Sequence, residues 1–150
     1  MADVDLAIFF DYQLDAEANY MAAFTAKDPN DRDAFDKHWQ KIRSDETVVI
    51  KTIVADGEVV GHVASFVQFE QREVTYWIGK SYWGQGIATK ALSEFLQVIK
   101  DRPLYARAAK DNAASLKVLE KCNFKITGEE IGYANARRKE IEEYVLRLEN

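Results

Sequence analysis

From Ser81 to Leu92 the chain reads SYWGQGIATKAL, with Gly84 and Gly86 one residue apart and a helical pattern directly after them. Glycine is costly inside a helix and cheap in a loop that takes unusual backbone angles. A strand must therefore end before the pair and a helix must begin after it. No other segment constrains the fold as much. A loop that feeds a helix in this way presents bare amide N–H groups, which suit an anion. The P-loop ends in Gly-Lys-Ser/Thr, whereas the lysine here sits in Thr89–Lys90–Ala91. The dinucleotide fingerprint places a third glycine where Thr89 stands. A plain strand-to-helix turn also satisfies the two glycines taken alone.

The flanking periodicities fill in the architecture. Upstream, ETVVIKTIV and VVGHVASFVQF are β-branched runs joined by an Asp56–Gly57 turn, which predicts a hairpin. A third strand spans Glu73–Gly79. After the loop, Ala88, Leu92, Phe95, Leu96 and Ile99 share one helical face. Leu104–Ala109 reads as a buried strand. Asn112 then caps a helix with Leu116, Leu119 and Cys122 inward, and Asn123 suits a left-handed terminator. Phe124–Glu130 and Glu140–Leu148 read as two more strands. At the N-terminus the pattern predicts a short strand over Leu6–Phe10, then two helices. The first places Ala16, Tyr20, Ala23 and Phe24 on one face. The second starts near Asn30–Asp31 and does the same with Phe35, His38, Trp39 and Ile42. This order predicts an α+β fold with a sheet of mixed pairing, in one domain spanning 1–150.

Composition narrows the functional classes. Twenty basic against 25 acidic residues give a net charge of −5, which argues against general nucleic-acid binding. No apolar run approaches the length of a membrane span, and MADVDLAIFFDYQ does not read as a signal peptide. The one cysteine, Cys122, cannot form an internal disulfide, so a cytoplasmic location is expected.

Two segments carry a resemblance. Tyr76–Gly79 with the loop Trp83–Ala88, followed by Asn112-x-x-Ser115 leading into Val118–Lys121, resembles the GNAT superfamily of acetyl-CoA-dependent N-acetyltransferases. The branch it looks most like contains the ribosomal-protein alanine acetyltransferases. The resemblance implies a GNAT-like, mostly antiparallel sheet of about seven strands flanked by about four helices. It implies that the amides of Trp83, Gly84, Gln85, Gly86, Ile87, Ala88 and Thr89 hold the pyrophosphate of coenzyme A. The pantetheine arm would then pair with the strand at Trp77 and Ile78. Asn112 would touch the arm from the other side, Ser115 would lie near the sulfur, and Lys121 would lie within reach of the ribose phosphate.

Amide formation from a thioester needs a neutral amine, an oxyanion donor and a leaving thiolate. Ile78 N–H is the implied oxyanion donor. Glu73 fits the acidic position for a base acting through water, with a solvated strand-end glutamate as the bland reading; His62 is a second candidate. Many members of the family carry a tyrosine just before Glu120. Leu119 stands there instead, so Ser115 becomes the candidate acid, with Tyr133 a weaker one. Cys122 reads as core. The helices within Asp15–Arg43 and the loop Gly132–Arg138 would wall the acceptor site, and their charges follow no single logic. The expected activity is therefore acetyl transfer from acetyl-CoA to a primary amine, a protein N-terminus or a small molecule, without a metal. A non-catalytic acyl-CoA-binding module on the same fold is the alternative. A homodimer would pair through the exposed last strands.

Overall fold

The computed structural model of the protein describes residues 3–149. Three helices come first: α1 (Asp3–Gln13), α2 (Ala16–Ala22) and α3 (Arg32–Ser44). The strands β1 (Val49–Ala55), β2 (Glu58–Gln68) and β3 (Gln71–Ile78) follow as a meander. A 3₁₀ turn over Lys80–Tyr82 and the glycine loop then lead into α4 (Ile87–Val98). The chain ends with β4 (Leu104–Ala109), α5 (Ala113–Lys121), β5 (Lys125–Ala134) and β6 (Lys139–Leu148). The strands form one six-stranded sheet in the order β1-β2-β3-β4-β6-β5, and only β3 and β4 run parallel.

Local chemistry explains most boundaries. Asp15 and Asp31 accept hydrogen bonds from Ala18 N–H and Ala34 N–H and so cap α2 and α3. Asp56 and Gly57 both take positive φ, as a two-residue hairpin turn requires. Asn123, at φ 73°, terminates α5 as its residue type predicts.

The main core lies between one face of the sheet and α4 with α5. Leu92, Leu104, Phe124 and Leu146 are fully buried there. Burying each such side chain is worth roughly 1.5–3 kcal/mol. On the other face, α1 and α3 pack over β1 and β2 through Phe9, Phe35 and Trp39.

Three expectations are corrected. Leu6–Phe10 belongs to α1, not to a strand. Five residues are too few to separate the two periods, and the longer register settles the matter. Asp5, Phe9 and Tyr12 point one way at helical spacing, with Phe9 against Trp39 at 5.4 Å and Thr52 Oγ1–H donating to Asp5 at 2.8 Å. Among the described residues the count is therefore six strands and five helices rather than about seven and four. His38 is exposed, although Phe35 and Trp39 on the same helix are buried. Tyr133 lies within β5 opposite Glu140 rather than in a loop, and it is largely exposed.

Candidate active site

The glycine loop leaves its helix without a side-chain cap. Gly84 and Gly86 take φ of 77° and 75°, the left-handed region that glycine tolerates best. Nothing lies within 4 Å of where a Cβ would stand at either, so the space in front of them is open. Gly86 is the N-cap residue of α4 and has no side chain with which to cap it. The helical ladder starts with Lys90 N–H donating to Gly86 O, which leaves the amides of Ile87, Ala88 and Thr89 outside it. Loop residues Trp83 to Gly86 are exposed, while Ile87 to Thr89 are half-buried. The helix dipole adds to the positive potential at this point.

Beside this helix the sheet comes apart. β3 and β4 pair only at Glu73↔Tyr105 and then separate. The parity of the β2–β3 ladder shows which groups face the gap. Gly79 N–H donates to Val60 O at 2.8 Å, so the odd-numbered residues of β3 turn their backbone groups toward β2. The N–H and C=O of Tyr76 and Ile78 therefore turn toward β4. Trp83 confirms the parity, because its indole N–H donates to Ile78 O at 2.9 Å. Ile78 N–H remains, together with both backbone groups of Tyr76. Trp77 backbone groups are engaged opposite His62, so a backbone contact expected at Trp77 falls to Tyr76 instead. The Trp77 indole N–H is buried without a partner.

Across the gap stands the first turn of α5. Asn112 Oδ1 accepts from Ser115 N–H at 3.2 Å, and Asn112 Nδ2 donates to Met21 O at 3.2 Å. Asn112 thus caps α5 and ties it to the end of α2. The Ser115 hydroxyl meets the Tyr76 hydroxyl at 3.0 Å. Burial pushes the Tyr76 phenol up, and the bond to Ser115 draws it part of the way back. Leu119, one turn further along α5, is core.

Glu73 is not a solvated strand-end residue: it is 3% exposed. Arg107 on β4 donates to it through Nε at 3.3 Å, to Glu143 on β6 at 3.1 Å, and to Glu130 on β5. Burial pushes the Glu73 and Glu143 carboxyls up, and the Arg107 guanidinium pulls them part of the way back. Three carboxylates around one guanidinium leave the cluster short of positive charge.

The remaining candidates have other surroundings. His62 is packed between Phe9 and Trp39 at 4.7 and 5.1 Å, and burial lowers it to about 4. It is therefore neutral near pH 7 and enclosed by rings. Cys122 is buried with its thiol directed at Thr89 O, 3.7 Å away. Lys121 borders a shallow cleft of about 310 Å³ with Ser93, Gln97 and Lys100 along α4. Among the described residues, no three His, Cys, Asp or Glu side chains converge as metal ligands would.

The expected acceptor walls are bolted together. The Arg137 side chain is 4% exposed and donates to Tyr20 O at 2.6 Å and to both oxygens of Asp111 at 2.7 and 2.9 Å. Asn135 donates to Thr25 O, and Ala136 N–H to Ala23 O. Sequence reasoning missed Arg107, the Tyr76 hydroxyl and the Arg137 clamp. Only Arg107 left a signal: a charged residue inside the apolar run Leu104–Ala109 calls for buried partners.

The family model for the acetyltransferase (GNAT) domain matches residues 1–125. No curated protein matches the sequence. Among solved structures, the chain resembles Mycobacterium smegmatis RimJ in complex with CoA-disulfide, with a TM-score of 0.82 and 19% identity over 99% of this chain and 79% of that one. It also resembles a ribosomal-protein-alanine N-acetyltransferase from Brucella melitensis, with a TM-score of 0.81 and 18% identity over 100% and 97% of the two chains. A third is a Vibrio cholerae spermidine N-acetyltransferase in complex with CoA and spermine, at 0.78 and 15% over 98% and 92%.

Proposed function

The chain belongs to the GNAT acetyltransferase family, and from that premise we propose that it moves the acetyl group of acetyl-CoA to a primary amine by direct attack in a ternary complex. The observation that carries this reading is the conjunction of two features. β3 leaves β4 after Glu73, and the uncapped N-terminus of α4 opens beside the parted strands. An extended pantetheine arm adds to a free strand edge as a further strand would. A pyrophosphate suits unpaired amides at a helix start.

In this reading the amides from Gly84 through Gln85, Gly86, Ile87 and Ala88 to Thr89 bind the pyrophosphate; the Trp83 amide, expected among them, is already donating to Lys80 O at 3.1 Å and drops out of the cradle. The backbone of Tyr76 and Ile78 aligns the arm. Trp77 lines the acceptor side, and Lys121 serves the nucleotide end of the cleft. Asn112 fixes the first turn of α5, and Ser115 faces the sulfur. Ile78 N–H donates to the carbonyl oxygen as negative charge develops there. Glu73 lies five strand residues from Ile78, about 17 Å. It therefore takes the amine proton only through water. An α-amine, with a pKa near 8, asks little of such a base, while an alkylamine asks more.

Calorimetry with coenzyme A tests the cradle. We expect a clear binding heat that Gly86→Glu abolishes without loss of fold, because the new carboxylate would stand in the open space before the helix. Turnover of acetyl-CoA, followed by thiol release across peptide N-termini, polyamines, amino acids and aminoglycosides, identifies the acceptor class. Glu73→Gln should lower turnover more at low pH than at high pH, where the amine is already neutral. An unchanged pH profile removes Glu73 as the base.

A further inference from the structure

Tyr76 is placed twice over by the fold. Its backbone faces the gap between β3 and β4, and its side chain crosses from β3 to the first turn of α5, where its hydroxyl meets Ser115 Oγ at 3.0 Å. The ring packs against the main core, so its position has little freedom. Ser115 N–H is already bonded to Asn112 Oδ1, which fixes the serine backbone.

Chemistry sets the direction of the hydroxyl pair. A phenol is a far stronger acid than an alkyl alcohol, and the alcohol oxygen is the better acceptor. Tyr76 O–H therefore donates to Ser115 Oγ. The serine has one proton of its own, which must point away from Tyr76. Among the described residues Ser115 Oγ has no other hydrogen-bond partner, so that proton is free to meet a group entering the gap.

We infer that Tyr76 is a positioning residue whose hydroxyl orients Ser115, so that the serine O–H is aimed at the sulfur of the departing thiolate. The inference rests on the acetyl-transfer reading. As the amine nitrogen bonds to the carbonyl carbon, the C=O π pair moves onto oxygen. When the carbonyl re-forms, the C–S bond breaks and its electron pair leaves on sulfur. Ser115 donates a hydrogen bond to that sulfur and keeps its proton, as Tyr76 keeps its own. The amine proton leaves through water, and the thiolate takes up a proton from solvent on release. The phenol that helps the leaving group thus comes from β3, while the corresponding stretch of α5 offers the apolar Leu119.

The test reads the thiol of bound coenzyme A by the ultraviolet absorbance of its thiolate during a pH titration. A free thiol titrates near 8.5, and we expect the bound one about one unit lower. Tyr76→Phe and Ser115→Ala should each return it most of the way. The double variant should go no further than Ser115→Ala alone, because the two groups act as one unit. Turnover should fall about tenfold with KM for acetyl-CoA little changed. Replacing Tyr76 by 3-fluorotyrosine keeps shape and packing but strengthens the donor, so the bound thiol should titrate lower still. A Tyr76→Phe protein that binds coenzyme A and titrates like wild type overturns the inference, as does a fluorotyrosine protein with no shift. Absence of any coenzyme A binding to wild type would instead overturn the acetyl-transfer reading, and this inference with it.

Discussion

Arg107 holds together carboxylates that would otherwise repel one another. Glu130 and Glu143 are direct cross-strand partners on β5 and β6, and like charges so placed are unfavourable. Glu73 and Glu143 are buried, whereas Glu130 is half exposed and contributes little. Removing the guanidinium strands two carboxylates in the protein interior. Arg107→Met should therefore destabilise the fold by about 3–5 kcal/mol at pH 7. The sign with pH follows from the direction of the shifts. The Glu73 and Glu143 pKa values are already raised in the folded protein and rise further without Arg107. The folded variant then binds protons more tightly than the unfolded chain, so the deficit shrinks as pH falls through those raised values. Denaturant titrations of wild type and variant at pH 7 and pH 4 check this; an equal deficit at both would refute it. Of these residues only Glu73 was singled out from the sequence, and its burial was not. A strand-end glutamate in a charged run looks solvated until β4 and β6 bring their side chains over it.

The helices on the second face of the sheet show how an element's identity is settled. LAIFF alone fits a strand, but in α1 its Phe9 meets Trp39 from α3 and His62 from β2. Close approach makes this packing tight: a Cβ on Gly79 would lie 2.7 Å from the Tyr12 ring of α1. His62 sits inside the cluster with its pKa depressed to about 4. Below pH 6.5 the unfolded chain takes a proton that the folded protein refuses. Stability should thus fall as pH drops from 6.5 to about 4, by about 3 kcal/mol, and this term should level off below that. His62→Gln should remove that part of the slope whatever its effect on absolute stability. A slope unchanged by the substitution would show that the histidine does not titrate as its burial requires.

Taken together, the elements wall the gap from two sides over one shared core. The α4 loop and β3 form one side; α5, the β5–β6 loop and α2 form the other. Arg137 locks the second side, with its guanidinium against Asp111 and over the Tyr20 ring at 3.9 Å. Asn112 ties the same α2 end to the first turn of α5. Arg137→Ala should cost about 1–2 kcal/mol of stability and loosen this wall. The heat of coenzyme A binding should persist, because the α4 loop is untouched, while KM for the acceptor amine should rise about tenfold. Weakened coenzyme A binding with an unaltered acceptor KM would place the clamp on the cofactor side instead.

The starts of α3, α4 and α5, the hairpin turn, the glycine loop and the core faces of α4 and α5 were readable in the chain. Each is written within a few residues, by a cap, a glycine or a period. The resemblance to an acetyltransferase was readable for the same reason, since its motifs are local. The parting of β3 from β4, the backbone parity that favours Tyr76 over Trp77, and the burial of Glu73 were not. Those depend on pairs 39 apart for Tyr76 and Ser115, 34 for Glu73 and Arg107, and 91 for Met21 and Asn112. Packing of the sheet brings such residues together, and no short-range preference encodes it.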